Sequence, residues 1–495
     1  MMKRLSRGVA LVLTVCLLCG GRIDALAQGD IASNAGVFVD PPRIARFSQR
    51  RERINLPRRT GGGRRQSSSN SSSSGSSSSS SSGQTSGQTA SNTTGTTGTS
   101  GTGSTTTTKP ATAESHNARG EQLSEAGRHA EAAEAFKQAI RVNANYADAH
   151  YNLGSTYYDM ARYDDAIRSL NQAIRLNPQD GDAYSLLGAS YEKLKKYAEA
   201  VDAYNLAARL SPNDAETQFG LGNVYAGAGK TTEALTAYRQ AVRLKPNYTE
   251  AFFNLGDTSY KAGQFAEAAD AYSRAALLNP KDAESLSNMG DAYRQLNRFA
   301  DAAGAYTRAL KIKPDDPELH YGLGYAYSRE RRWPEAIKAL QEAIRLKPDY
   351  VDARINLSWA YNNTSRFADS IETLKEAIRL QPQNSAAHFN TGIAYSRLAK
   401  FNEAVASFNE ALRLKPDWAQ GYNNLGFAYG NLGRWKEAIA AHEKAISLKP
   451  DYDGAYFNLA IAYRKSGNKK KAKEQQTKLK AINPKLADQL QALIK

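Results

Sequence analysis

Residues Ala147–Asp180 read ADAHYNLGSTYYDMARYDDAIRSLNQAIRLNPQD, and the next 34, Gly181–Asp214, read GDAYSLLGASYEKLKKYAEAVDAYNLAARLSPND. Laid over one another, Leu153 meets Leu187, Gly154 meets Gly188, Tyr157 meets Tyr191, Ala166 meets Ala200 and Ala173 meets Ala207. The prolines that close these windows, Pro178 and Pro212, recur as Pro246, Pro280, Pro314, Pro348, Pro382, Pro416, Pro450 and Pro484. The interval is 34 residues throughout, with no insertion or deletion. A fixed period of this length marks a stack of like supersecondary units rather than a domain built around one central core.

With proline at position 32 of each window, apolar residues fall at positions 4, 7, 8 and 11, and again at 17, 20, 21, 24, 27 and 28. Both sets have helical spacing, so each window predicts two amphipathic helices joined by a tight turn. Glycine or alanine at positions 8, 20 and 27 allows close backbone approach, and Tyr, Phe or Leu at 11, 17 and 24 fills the gaps. Proline ends the second helix, because the residue before it is driven out of the α region. Acids at position 2 (Asp148, Asp182, Glu216, Glu250, Glu284, Glu318, Asp352) complement the positive end of the next helix.

This pattern resembles the tetratricopeptide repeat over residues 113–486, eleven windows of 34. The first window diverges (Arg119 at position 7, Ala144 in place of proline), and so does the last (Lys469, Gln476 and Leu479 at positions 17, 24 and 27). Terminal repeats must show one face to water. Ser259, Ser358 and Ser370 are local departures, and residues 487–495 (Leu490, Leu493, Ile494) predict a capping helix. The resemblance implies an all-α, right-handed α-solenoid superhelix. The array is most similar to that of the O-linked N-acetylglucosamine transferases, where a separate domain performs the chemistry. The nine residues after the last window hold no nucleotide-sugar site, so a non-enzymatic chain without cofactor is expected.

Ahead of the repeats, Lys3, Arg4 and Arg7 precede an apolar run from Val9 to Cys19 and then Ala25-Leu26-Ala27. This predicts a secretory signal over residues 1–27, with Ala25 and Ala27 flanking the cleavage motif. It is too short to span a membrane. Both cysteines lie within it, so the mature chain would carry no thiol and no transmembrane helix. Export to a bacterial periplasm or exterior is the expectation. Residues 28–66 form a disordered basic segment whose stretch from 43 to 65 sets Arg43, Arg46, Arg50, Arg51, Arg53, Arg58, Arg59, Arg64 and Arg65 against one acid, Glu52. Residues 67–112 are a Ser/Thr/Gly-rich linker unable to bury enough apolar surface to fold. Of the net charge of +16, residues 1–109 hold +10. An exported Arg-rich tail of this kind suits an anionic envelope surface, and no nucleic acid partner is expected.

No catalytic constellation is present in the sequence. His116, His150, His320 and His388 occupy position 4, and His129 and His442 occupy packing positions 17 and 24. No two of them are closer than 13 residues, so they lack the short spacing of a metal-ligand pair.

The family resemblance implies that the first helix of each repeat lines a concave face through positions 2, 5, 6, 9, 12 and 13. Position 6 is Asn in seven windows, the last four being Asn356, Asn390, Asn424 and Asn458. Asparagine offers donors and an acceptor to an extended peptide main chain. Alternatively, it bonds within the repeat. Position 9 is polar or small through window six, then becomes Tyr325, Trp359, Ile393, Phe427 and Ile461. One turn earlier, position 5 holds Tyr321, Phe389 and Phe457. Together these predict an exposed apolar stripe beside an asparagine row, confined to the C-terminal half. The alternative is that the stripe is buried between neighbouring helices. The expected function is a scaffold that holds a protein or peptide in the groove during envelope assembly or secretion. The alternatives are a substrate-recruiting subunit of a separate envelope enzyme and a polysaccharide- or peptidoglycan-binding protein.

Overall fold

The structure, a computed structural model, describes residues 112–494. These residues form 23 helices, and no strand occurs among them. The sequence phase holds without slippage. Every window opens at position 1 on a 13-residue A helix, from Ala113–Glu125 to Asp453–Lys465. A 14-residue B helix starts at position 17, as in Tyr163–Leu176, and is shortened to 12 residues in Phe299–Leu310.

The expected secretory signal, the arginine segment with its nine arginines, and the linker lie outside the described residues, except for Thr112. That residue belongs to the fold. Its hydroxyl accepts the Ser115 backbone N–H at 3.2 Å and caps the first A helix. The closing helix runs Pro484–Ile494, three residues ahead of the expected start at 487. Proline suits a first helical turn, where no N–H is needed. The side-chain oxygen of Asn483 caps this helix by accepting the Leu486 N–H at 3.1 Å. Ala487, Leu490 and Ile494 bury against the last repeat. Among the described residues no helix is long and apolar enough to cross a membrane.

The A and B helices of a repeat are pressed together at position 8. A Cβ added to Gly222 would stand 2.5 Å from the Tyr238 ring, and one added to Gly392 would stand 2.6 Å from Phe408. Both partners are position 24 side chains, which are fully buried here as they are in Phe136, Leu170, Tyr204, Tyr272, Tyr306, Leu340 and Leu374.

The turn between the helices places position 15 in the left-handed region in all eleven repeats. Five of these residues are glycines, and six (Ala161, Lys195, Asn297, Arg331, Ser365, Ala399) hold φ of 56–60°. The position 16 N–H then closes on the position 11 carbonyl, as from Arg162 to Tyr157 at 2.8 Å. The position 16 arginine covers the position 11 ring and pairs with the acid at 19. Arg366 lies 4.3 Å from the Tyr361 ring centroid and donates to Asp369 at 2.6 Å. Arg162, Arg298, Arg332 and Arg434 repeat the arrangement. Such exposed ion pairs are worth about 0–1 kcal/mol each. Their larger service is to cover an aromatic face.

The array divides into two units at Pro246 and Asn247. In each unit the core is a chain of local clusters with no common centre. Within each unit successive A helices touch one another, whereas successive B helices do not approach as closely. The A helices therefore line the inner side of each unit.

A non-glycine residue in the left-handed region costs roughly 1 kcal/mol. Ala161→Gly and Ala399→Gly are each expected to stabilise the array by up to about 1 kcal/mol, read as a raised urea midpoint. Gly229→Ala is expected to lower it. Unchanged midpoints in the glycine variants would show that these turns store no strain.

Candidate interaction surface

The expected exposed stripe is corrected by the burial of its members. At position 5, Tyr321 and Phe389 are 0% exposed and Phe457 1%. The reason lies at position 34 of the same repeat, where an aromatic residue closes over the ring. Tyr350 stands 4.8 Å from Tyr321, and Trp418 stands 4.3 Å from Phe389. At position 9, Tyr325 and Ile393 are also interior, at 3% and 1%. Trp359, Phe427 and Ile461 keep partial exposure. The position 9 rings seal against position 17 of the preceding repeat: Phe299 with Tyr325, Trp333 with Trp359, Phe401 with Phe427, at 6.2, 5.0 and 6.5 Å. The stripe is thus chiefly an inter-repeat seam that surfaces at three places.

The asparagine row is corrected in the same way. Asn356, Asn390, Asn424 and Asn458 are all buried, and they bond to the array itself. Asn356 donates to the Tyr321 hydroxyl at 3.0 Å, Asn390 to the Ser358 hydroxyl at 3.4 Å, and Asn458 to the Asn423 side-chain oxygen at 3.1 Å. Each of these bonds reaches back to the preceding A helix. Asn424 instead donates to the Gln420 carbonyl at 2.8 Å. The row ties neighbouring repeats together and is not laid out for a foreign main chain.

The change of character at position 9 has a core origin as well. Where position 24 is tyrosine, its buried hydroxyl needs an acceptor. In repeats four to six, position 9 of the same repeat supplies it: Tyr238 donates to Asn223 at 2.8 Å, Tyr272 to Asp257 at 2.5 Å and Tyr306 to Asp291 at 2.8 Å, whereas repeat three sets Ala189 at position 9 with Tyr204. Burial, and next the negative Asp291, push the Tyr306 ionisation well up. Where position 24 becomes Leu340, Leu374 or Phe408, no acceptor is required and position 9 turns apolar as Tyr325, Trp359 or Ile393. From repeat four to repeat nine this pairing of positions 9 and 24 was legible in the sequence, whereas repeats one to three (Glu121 with Phe136, Ser155 with Leu170, Ala189 with Tyr204) do not follow it. His442, at position 24, uses Asn423 of position 5 instead, at 2.9 Å.

The position 4 histidines have a shared structural task. His150, His320 and His388 bond the backbone carbonyl six residues back, on Ala144, Pro314 and Pro382, at 3.1, 2.8 and 2.8 Å. Arg354 does the same to Pro348 at 2.8 Å. Burial is the first cause of the lowered His150 pKa. Among the described residues no three His, Cys, Asp or Glu side chains converge as a metal site would require.

Two measurements test this account of the core. Asp257→Leu removes the acceptor of the Tyr272 hydroxyl, and Tyr272→Phe removes a donor from a buried carboxylate. Each is expected to cost about 2 kcal/mol. The double variant is expected to cost at least about 1 kcal/mol less than the two together, because neither polar group is then stranded. Strict additivity in urea titrations would contradict the coupling.

His442 is the second case. Burial pushes its pKa down to about 3. An unfolded histidine takes up its proton near pH 6.5. With the folded pKa depressed, stability is full above about pH 6.5 and is lost as pH falls towards 3. His442→Phe removes this slope, so its stability relative to the parent should rise by about 2 kcal/mol between pH 8 and pH 5. An unchanged difference would show that the imidazole charges without unfolding.

Comparisons with known proteins agree with the repeat geometry. Tetratricopeptide repeat profiles match residues 151–215, 419–452 and 453–486, and a further TPR repeat profile matches 120–161 and 400–433. The profile of the cilia and flagella-associated protein 70 C-terminal domain matches residues 212–391. No curated protein matches the chain in sequence. Among solved structures, the APC/C hetero-tetramer Cut9-Hcn1 is 14% identical, covering 77% of this chain and 96% of that one, with a TM-score of 0.40. Yeast Tom70 is 16% identical over 77% of this chain and 94% of its own, at TM-score 0.36. MamA is 27% identical over 33% of this chain and 96% of its own, at 0.32. With eleven unbroken helix pairs, a glycine-to-ring contact between their helices and these matching profiles, the chain belongs to the tetratricopeptide repeat family.

Proposed function

We propose that this protein is a non-enzymatic scaffold that holds a protein or peptide segment against the inner side of its second unit. The tetratricopeptide fold suggests a protein-interaction scaffold. The observation that carries the finer reading is the partial exposure of Trp359, Phe427 and Ile461, where most neighbours on the same helices are interior. Aromatic side chains in such settings supply large contact areas at small entropic cost. Asn363 and Asn431 flank two of them. Their amide nitrogens are engaged by the Trp359 and Phe427 carbonyls at 2.8 and 2.9 Å, leaving the side-chain oxygens to accept from a partner. The leader at residues 1–27 and the arginine tail extend the proposal to an exported protein at an anionic envelope surface, acting in envelope assembly or secretion.

A photo-reactive residue in place of Asn431, which is exposed on the inner A helix, tests the groove. It is expected to capture a polypeptide from the native host's envelope fraction. The same group at Lys444, exposed on the outer B helix, is expected not to capture it. Equal capture from both positions, or capture of glycan alone from Asn431, would overturn the proposal.

A further inference from the structure

Position 13 of the A helices carries a cation in alternate repeats of the second unit's later half: Arg329, Arg397 and Lys465, separated by Asn363 and Asn431. Arg329 is well satisfied. Its guanidinium lies 4.7 Å from the Phe299 ring centroid and donates to the Tyr325 hydroxyl at 3.2 Å. Arg397 occupies the same position two repeats on, but its position 9 neighbour is Ile393, which has no hydroxyl. The guanidinium is half-buried, and burial alone lowers its pKa, with no carboxylate acting against it. Beside it in sequence, Ser396 is buried, and its hydroxyl has no hydrogen-bond partner. The equivalent Ser328 donates to the Gly324 carbonyl at 2.8 Å. Repeat nine thus leaves two donors unpaired, a half-buried guanidinium and a hydroxyl closed off in the interior. Buried polar groups ordinarily find partners, and an unpaired one carries a desolvation cost that a ligand can remove.

The surrounding charge has a matching sign. Residues 113–384 carry 33 basic and 36 acidic residues, a net charge of −3, whereas residues 385–495 carry 18 basic and 9 acidic, a net charge of +9. Position 2, acidic in the first eight windows, becomes Ala386, Gln420 and Gly454 in the last three. No acid therefore competes for Arg397 from that position.

Resting on the groove reading above, we propose that Arg397 receives a side-chain carboxylate of an acidic peptide segment bound along the inner side of repeats eight to ten. A guanidinium donor suits a carboxylate, and a charge-assisted pair formed away from water is among the stronger polar contacts. The partially exposed Trp359 and Phe427, on the A helices to either side, offer apolar contact to residues flanking the acid.

The test uses the full chain and labelled twelve-residue peptides with amidated C-termini. One repeats Phe-Glu-Gly-Glu, and its counterpart carries Gln for every Glu. The Glu peptide is expected to bind about tenfold more tightly, one charge-assisted contact being worth roughly that factor. Arg397→Gln should abolish the preference without lowering the urea midpoint. Arg397→Lys should keep most of it, and Ser396→Ala, which removes only a buried hydroxyl, should leave it unchanged. A preference that survives Arg397→Gln overturns the assignment. So does tighter binding of phosphatidylglycerol vesicles or of a 20-nucleotide single-stranded DNA than of the Glu peptide. If both peptides bind equally and both block photo-capture at Asn431, the acidic anchor falls while the groove stands. If neither peptide blocks it, the anchor falls without bearing on the capture itself.

Discussion

The rest of the structure depends on how closely the two helices of a repeat approach at position 8. There is no room for a Cβ at Gly222 or Gly392, because the position 24 ring of the same repeat already fills that volume. That contact fixes where the B helix lies on the A helix, and therefore which side chains meet across the pair. Because the contact is internal to a repeat, it recurs every 34 residues without needing a central core. The chemistry chosen at position 24 then propagates. In repeats four to six a tyrosine there meets an acceptor at position 9, while in repeats seven to nine a leucine or phenylalanine leaves that position free to hold an apolar side chain.

This has a bearing on how little of the inner side is available for recognition. By spacing alone, positions 5, 6 and 9 read as a row of side chains offered to a ligand, yet most of them hold one repeat to the next. Position 5 rings lie beneath aromatic residues from position 34, and position 6 amides bond the preceding A helix. What remains for a partner is a sparse set: three half-covered apolar groups, two asparagine side-chain oxygens and the Arg397 guanidinium. Specificity on such a surface comes from a few placed groups and not from continuous apolar area.

The fold was legible because each of its determinants sits inside one 34-residue window. Proline at 32, the small residue at 8 and the ring at 24 are local signals, and the helices begin at the positions that periodicity predicts. The binding surface was much less legible. Whether Tyr325 faces solvent depends on Phe299 of the preceding window, and Phe389 is covered by Trp418 from the far end of its own window; position counting does not report what such a side chain covers. The asparagines were legible as a row but not as a bonding direction, since an amide looks the same whether it turns to a ligand or to Tyr321. Arg397 gave no signal of its own. Its unpaired state follows from the replacement of one tyrosine by isoleucine at position 9.

The bonds between position 6 and the preceding repeat carry a further meaning for how such an array can change. The tyrosine hydroxyls of Tyr238, Tyr272 and Tyr306 find their acceptors at home, so those repeats travel with their own partners when copied. Asn356 and Asn458 depend on Tyr321 and Asn423 next door. A repeat inserted at either junction would separate an amide from the atom that satisfies it. Duplication is therefore cheap inside the tyrosine-bearing stretch and costly in the stretch nearest the C-terminus. Buried amides thereby record the order of the repeats and resist its shuffling.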